Sequence, residues 1–179
     1  MANGVATVAG EISVTTLDIG GTNVTSTATE LNYNDITTLG TVENSKAVTA
    51  TSGGVVNFVD KVAQRAELKD YSETYTATSG TGTVDLDLAD GNTFQHTASG
   101  GNVTFTFSNP PASGKSGSFT LKWIQDSSDR TITWPASVDW AGGSAPSVTS
   151  GSAKVDVYTF FTFDGGTTWY GFQPGADLG

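Results

Sequence analysis

Three carboxylates and a glycine stand close together in the stretch DLDLADGN, and this set of residue types could bind calcium. Asp85, Asp87 and Asp90 would supply oxygen ligands, but the EF-hand spacing and its distal bidentate glutamate are missing. Asp85 and Asp87 also alternate with apolar residues, which is typical of the solvent face of a β-strand. We favour the strand interpretation and expect neither a metal site nor a cofactor.

The only histidine, His96, could serve as a catalytic base if a nucleophile and an orienting carboxylate stood beside it. The chain has no GxSxG motif, and His96 alternates with Phe94 as a half-buried strand residue would. The glutamates, which a glycosidase could use as a pair, all lie at or before Glu73, outside the aromatic-rich part of the chain. No phosphate-binding glycine loop is present. The sequence predicts a protein that is not an enzyme.

Two tryptophans bracket the stretch TWPASVDWAGGSAP and allow two interpretations. Exposed indole rings stack on sugars, so Trp134 and Trp140 could form a ligand surface. Alternatively, Trp134 ends a core strand, stopped by Pro135, and Trp140 packs a loop over the sheet. We favour the second interpretation.

Charge and composition exclude several classes of partner. The 179 residues carry a net charge of −10 without a cluster of lysine or arginine, so we expect no nucleic acid partner. No apolar run approaches the roughly 18 residues of a transmembrane helix, and an anionic membrane surface would repel the chain. Cysteine is absent, which excludes disulfides and thiol chemistry. The N-terminus shows no signal peptide pattern, so we expect synthesis in the cytoplasm.

The distribution of large side chains divides the chain near residue 70. All four tryptophans, all five prolines and every phenylalanine except Phe58 lie after that point. We therefore predict a C-terminal domain over 71–179 with its own core, and an N-terminal region over 1–70 that folds against another surface. The highly charged segment 60–73 is the predicted connector.

Period-two alternation in the C-terminal region predicts short β-strands. It occurs in NVTFTF, in SFTLKWIQ and in KVDVYTFFTF, where Val155, Val157, Phe161 and Phe163 share one face. Asp90-Gly91 and Asp164-Gly165-Gly166 predict hairpin turns. The predicted fold class is mainly β: an antiparallel sandwich or jelly roll, preceded by a small β-rich region with one short helix.

The stretch TATELNYNDITTLG predicts that helix. Thr27 and Glu30 fit a capping box, so the helix should cover residues 28 to about 38, and Gly40 is a suitable stop. Leu31 and Leu39 give it one narrow apolar stripe, which is too little for a self-sufficient fold.

The same stretch resembles a unit found in structural proteins of tailed bacteriophages. The likeness rests on Thr27-Ala28, on Glu30-Leu31-Asn32 and on Ser45-Lys46-Ala47-Val48, whereas Asn34-Asp35-Ile36 replaces the usual Leu-Asp-Gly. The segment from GKSGSFTLKWIQ to VDVYTFFTFDGGTTWYGF is also similar to a β-domain of phage tail fibres and head-decoration proteins.

The resemblance implies a non-enzymatic virion protein. The leading expectation is a capsid decoration (cement) protein on the head exterior, a homotrimer that binds the major capsid protein through its N-terminal region. The alternative is a tail-fibre or receptor-binding protein that recognises a host surface glycan. Expected contacts with the capsid or with sister subunits are Leu31, Ile36, Leu39, Val55, Val56 and Phe58.

Overall fold

The structure, a computed structural model, describes residues 9–10, 13–58 and 61–179. Two compact units divide the chain, residues 1–68 and residues 69–179. The prediction of a mainly β fold with one short helix in the N-terminal region is confirmed, because strands dominate and the helix lies in the first unit. None of the helices formed by the described residues has the length and apolarity needed to cross a membrane.

The first unit contains a small hairpin and the capped helix. Asp18 accepts a hydrogen bond from the Gly21 N–H at 2.8 Å and so closes the hairpin turn, which the left-handed φ of Gly20 and Gly21 permits. The elements are β1 (Leu17–Ile19), β2 (Thr22–Val24), α1 (Ala28–Leu31) and a 3-10 turn (Asn32–Asn34).

The capping box is confirmed, but the predicted helix length is wrong. Thr27 accepts from the Glu30 N–H at 3.2 Å, and Glu30 accepts from the Thr27 N–H at 2.8 Å. The helix ends at Leu31 instead of about residue 38, and the chain tightens into the 3-10 turn. Asparagine, aspartate and β-branched residues fill the following positions and favour turns over helix.

No helix or strand occurs in residues 61–75, and residue 60 of the predicted connector lies outside the described residues.

The second unit is a seven-stranded mixed sheet with strand order β3-β4-β5-β8-β9-β7 and with β6 beside β4. Its strands are β3 (Thr76–Asp87), β4 (Thr93–Ser108), β5 (Gly117–Ile124), β6 (Ile132–Thr133), β7 (Val138–Trp140), β8 (Val155–Thr162) and β9 (Trp169–Gly175).

Strand directions differ from the predicted antiparallel arrangement. Only the β5–β8 and β8–β9 pairs of this sheet are antiparallel. The turn at Asp164-Gly165-Gly166 joins β8 to β9 as predicted. The hairpin predicted at Asp90-Gly91 is wrong, because β3 and β4 pair in parallel, with Thr76 opposite Phe94.

Strand β4 folds back over the sheet. Phe94 and Phe107 lie thirteen positions apart, which is roughly 40 Å along a straight strand. Both rings nevertheless contact Phe119, at 5.7 and 4.9 Å between centroids. The strand bends at Gly100, whose φ is 84°, and β3 has a bulge at the same level, between Gly80 and Gly82. The second half of β4 therefore covers the face formed by its first half and β5.

The core lies between these two layers and is mainly aromatic. Its most deeply buried large side chains are Trp123, Trp169, Tyr158, Phe105 and Phe160. On β8 the buried positions alternate from Asp156 to Thr162. The face that carries Val155, Val157, Phe161 and Phe163 is therefore the outer one.

Candidate functional surfaces

The two halves of the phage-like motif meet in the first unit. The Lys46 ammonium group donates to the Asn32 carbonyl at 2.9 Å, and the Ala47 N–H donates to the Tyr33 carbonyl at 2.7 Å. The left-handed φ of Ser45 turns the chain into this contact. The two separated parts of the motif thus close one loop, and the capped helix forms one side of it.

A second loop of the first unit is held around Gly40. The Asn57 N–H donates to the Gly40 carbonyl, and the Val42 N–H donates to the Asn57 carbonyl at 2.9 Å. Glu43 accepts from the backbone N–H groups of Thr37 and Thr38 at 2.9 and 3.0 Å. The Thr38 bond is the larger cause of the lowered pKa of Glu43. Hydrogen bonds, and not apolar packing, hold this unit together.

The predicted contact residues remain largely uncovered. Exposed fractions are 45% for Leu31, 63% for Leu39, 59% for Val55 and 45% for Phe58. Ile36 and Val56 are half-buried. Leu31 lines a shallow cavity together with Val14 and Leu17 of the hairpin segment, whereas Leu39 and residues 55–58 lie by the Gly40–Asn57 pairing. The structure thus divides the predicted contact residues between two places on the unit.

Other exposed apolar residues of the first unit were not identified from the sequence. Period-two alternation within β1 could have indicated two of them, because Leu17 and Ile19 share one face of a three-residue strand. Of the remainder, Tyr33 lies in the short 3-10 turn and the others in irregular segments, where no period exists to find them. The additional residues are Val14, Leu17, Ile19, Tyr33, Val48, Val62 and Leu68.

The two tryptophans of the predicted ligand surface are half-buried and packed against the core. Their rings lie 5.4 Å apart, and Trp134 also contacts Phe105 at 5.4 Å and Tyr158 at 4.9 Å. Trp140 lines a cleft of about 330 Å³ beside Phe172. This geometry favours the packing interpretation for Trp134.

The carboxylates of DLDLADGN take part in strand and loop contacts. Asp85 accepts from the hydroxyls of Thr106 and Ser108 on β4. Asp87 accepts from the Asn109 amide at 2.8 Å, and this bond is the main reason that its pKa is lowered. Among the described residues no group of three or more histidine, aspartate or glutamate side chains is arranged to hold a metal ion.

His96 is fully buried. Its ring stacks on Trp123 at 5.5 Å and meets the edge of Phe105 at 5.5 Å. Nδ1 lies 2.8 Å from the Thr78 hydroxyl and Nε2 lies 3.4 Å from the Gly80 carbonyl, which assigns the proton of the neutral ring to Nε2. Burial lowers the pKa of His96. Its surroundings are those of a neutral core residue.

No protein-family model, curated protein or solved structure matches this chain.

An aromatic patch, which the sequence did not predict, covers the outer face of β8 and β9. Phe161 is at its centre and contacts Phe163 at 5.4 Å, Tyr170 at 5.3 Å and Phe172 at 5.6 Å. The exposed fractions of Phe163, Tyr170 and Phe172 are 60, 41 and 46%. Clustered exposed rings of this kind commonly mark a binding surface. The alternation of KVDVYTFFTF identified the face, but not that it lies outside the core.

The burial of His96 predicts a pH-dependent stability. Its folded pKa lies below the ordinary value of 6.5, so the unfolded chain takes up the proton first as the pH falls. Stability should decline below pH 6.5 by up to about 1.4 kcal/mol per pH unit, until the folded ring is protonated. Urea unfolding at pH 7.5, 6.5 and 5.5, followed by tryptophan fluorescence, measures this decline.

The matched control for that measurement is His96→Phe, which keeps an aromatic ring against Trp123 and removes the titrating group. The carboxylates with lowered pKa stay ionised in both states over this range, since their ordinary values are 3.8 and 4.5. The variant should therefore show a flat profile. Equal slopes for the two proteins would contradict the assignment to His96.

Proposed function

We propose that this chain is a non-enzymatic structural protein of a tailed-bacteriophage virion, a decoration protein that attaches to the head exterior through residues 1–68. The observation that carries the proposal is the contrast between the two units. Among the described residues, every buried apolar side chain lies between Leu86 and Trp169, in the second unit. The described part of the first unit instead exposes eleven large apolar side chains, from Val14 to Leu68.

A unit of this kind gains its apolar stabilisation from a partner. Full burial of one leucine, valine or phenylalanine side chain contributes about 1.5–3 kcal/mol. The exposed side chains of the first unit do not gain this stabilisation within the chain, while hydrogen-bonded loops fix the positions of Leu31 and Leu39. Both features are expected of an attachment module that completes its fold on another surface.

The partner in this proposal is the major capsid protein, together with sister copies in a homotrimer. The resemblance of the loop closed by Lys46 and Asn32 to the phage unit supports that choice. The second unit, with its own core, would then face outward from the head. The alternative of a tail-fibre protein with a glycan site at Trp134 and Trp140 has less support, because Trp134 packs among core rings.

The double variant Leu31→Ala/Leu39→Ala tests the attachment. Cosedimentation with shells assembled from the major capsid protein of the same phage measures binding. Loss of two apolar anchors should weaken it at least tenfold, since even about 1.4 kcal/mol changes an affinity by that factor. Fluorescence of the four tryptophans, all in the second unit, should show that the fold of this unit is unchanged.

The control is Leu178→Ala, which removes a leucine that is 50% exposed in the second unit. It should bind the shells like the unaltered chain. Unaltered binding by the double variant would exclude these leucines as anchors. A copy number per virion far below that of the major capsid protein would exclude decoration itself.

A further inference from the structure

A cleft of about 610 Å³ opens in the second unit beside the aromatic patch. Two phenylalanine rings and several small polar side chains share its wall. The volume lies within the range of small-molecule sites, which is about 300–1,000 Å³. The lining residues are Leu88, Asn92, Asn109, Pro111, Ser116, Gly117, Ser118, Phe161 and Phe163.

The polar side chains of this cleft keep hydrogen-bonding capacity for a ligand. The Asn92 amide and the hydroxyls of Ser116 and Ser118 bond to no side chain or backbone group of the described residues. The Asn109 amide nitrogen donates to Asp87, which leaves its oxygen as an acceptor. The cleft thus offers both donors and acceptors, and none of its lining residues is charged.

The aromatic side of the cleft is held in place before any ligand arrives. Phe161 and Phe172 are stacked with an angle of 10° between their planes, and Phe163 meets the edge of Phe161. Phe163 itself is 60% exposed. A ring that is fixed by its neighbours and open to solvent can stack on a ligand with little loss of conformational entropy.

Close packing between two loops fixes the backbone beside the cleft. Gly166, at a φ of 78°, lies so close to Pro110 that a Cβ there would be 2.9 Å from the proline ring. The Thr162 hydroxyl accepts from the Gly166 N–H at 3.1 Å and donates to Asp164 at 2.8 Å. The two hydrogen bonds order the β8–β9 turn, and the Gly166–Pro110 contact joins that turn to the loop after β4, which lines the cleft through Pro111.

We propose that this cleft binds a neutral saccharide, with Phe163 and Phe161 as the stacking surface and Asn92, Asn109 and Ser118 as partners for the sugar hydroxyls. Sugar rings present C–H faces, which suit aromatic rings, and a rim of hydroxyls, which suits amide and hydroxyl side chains. An acidic glycan is disfavoured, because the lining has no cation and the chain carries a charge of −10.

Saturation-transfer NMR on the full chain tests the proposal with neutral tri- to pentasaccharides of glucose, galactose, mannose and N-acetylglucosamine. We expect at least one to bind with a Kd of about 1 mM or tighter. Loss of one stacking ring in Phe163→Ala should weaken binding about tenfold. Asn92→Ala should weaken it about fivefold through lost hydrogen bonds. Both positions are exposed, so both variants should fold.

The control is Tyr71→Ala, which removes an aromatic side chain that is 68% exposed and outside the cleft. It should leave binding unchanged. The proposal is overturned if no member of the panel binds, if Phe163→Ala binds as well as the unaltered chain, or if sialylated or sulfated oligosaccharides bind as tightly. It is also overturned if sedimentation shows an oligomer that Phe163→Ala dissociates, because the surface would then serve a second copy.

Discussion

Phe119→Ala is expected to lower the free energy of unfolding of the second unit by about 3–5 kcal/mol. Phe119 is buried, with an exposed fraction of 2%. Its ring contacts Phe94 and Phe107 from the two halves of β4, Phe160 of β8 at 4.8 Å and Trp169 of β9 at 5.2 Å. Truncation would leave a cavity where the folded-back strand meets the sheet.

The size of this effect follows from the position of Phe119 between two layers. Four rings surround it, so neighbouring side chains have little room to move into the cavity. A loss of this magnitude is a large part of the 5–15 kcal/mol that typically stabilises a whole domain. Urea unfolding followed by tryptophan fluorescence would therefore show a much lower midpoint for Phe119→Ala.

Phe163→Ala is the matched control for that experiment. It makes the same chemical change just after the adjacent strand β8, but at a side chain that is 60% exposed. Its effect on the free energy of unfolding should stay within about 0.5 kcal/mol. Comparable losses for the two variants would mean that Phe119 is not at the centre of the core.

Local rules predicted local features of this fold. The capping box at Thr27 needs only a threonine and a glutamate three positions apart, and the structure has it. The turn at Asp164-Gly165-Gly166 closes a true hairpin, because the β-strands on both sides pair with each other. Short-range chemistry decides such features, so the sequence is sufficient for them.

Features that depend on distant partners were not predictable in the same way. Asp90-Gly91 carries the same hairpin signal, yet the folded-back β4 lets β3 pair with it in parallel. The bend of β4 at Gly100 makes the parallel pairing possible. In the sequence, this glycine indicates only a turn and not a bend within one strand. In β8 both faces carry aromatic or apolar residues, so alternation alone could not say that Tyr158 and Phe160 face inward.

The candidate sites show the same contrast between local features, which the sequence predicted, and features formed by distant residues, which it did not. Leu31 and Leu39 were predicted as contacts from one helical stripe, and both are exposed, although the helix ends before Leu39. The cleft beside Phe163 brings together residues from β5, β8 and the loops that follow β3, β4 and β8, which no spacing in the sequence connects. The sequence identified some of the exposed apolar residues of the first unit, but it did not show which residues meet at the cleft.

Asp156→Ala is expected to destabilise the second unit by about 2–4 kcal/mol, because this carboxylate is buried and joins three segments. It accepts from the N–H and the hydroxyl of Thr149, both at 2.7 Å, and from the Asp177 N–H at 3.1 Å. The Tyr158 hydroxyl also lies 3.4 Å from it, and burial raises the pKa of that phenol, with the charge of Asp156 adding to the shift. Removing the carboxylate would leave these donors without an acceptor in the interior.

Urea unfolding and amide hydrogen exchange together measure the role of Asp156. The amides of Thr149 and Asp177 should exchange faster in Asp156→Ala, because each donates directly to the lost carboxylate. Asp156→Asn should be intermediate, since it keeps one acceptor oxygen. Asp139→Ala, at an exposed aspartate of β7, should change neither quantity. If the amides of Thr149 and Asp177 exchange at unchanged rates in Asp156→Ala, the buried carboxylate does not hold the loop at Thr149 and the C-terminal tail to β8.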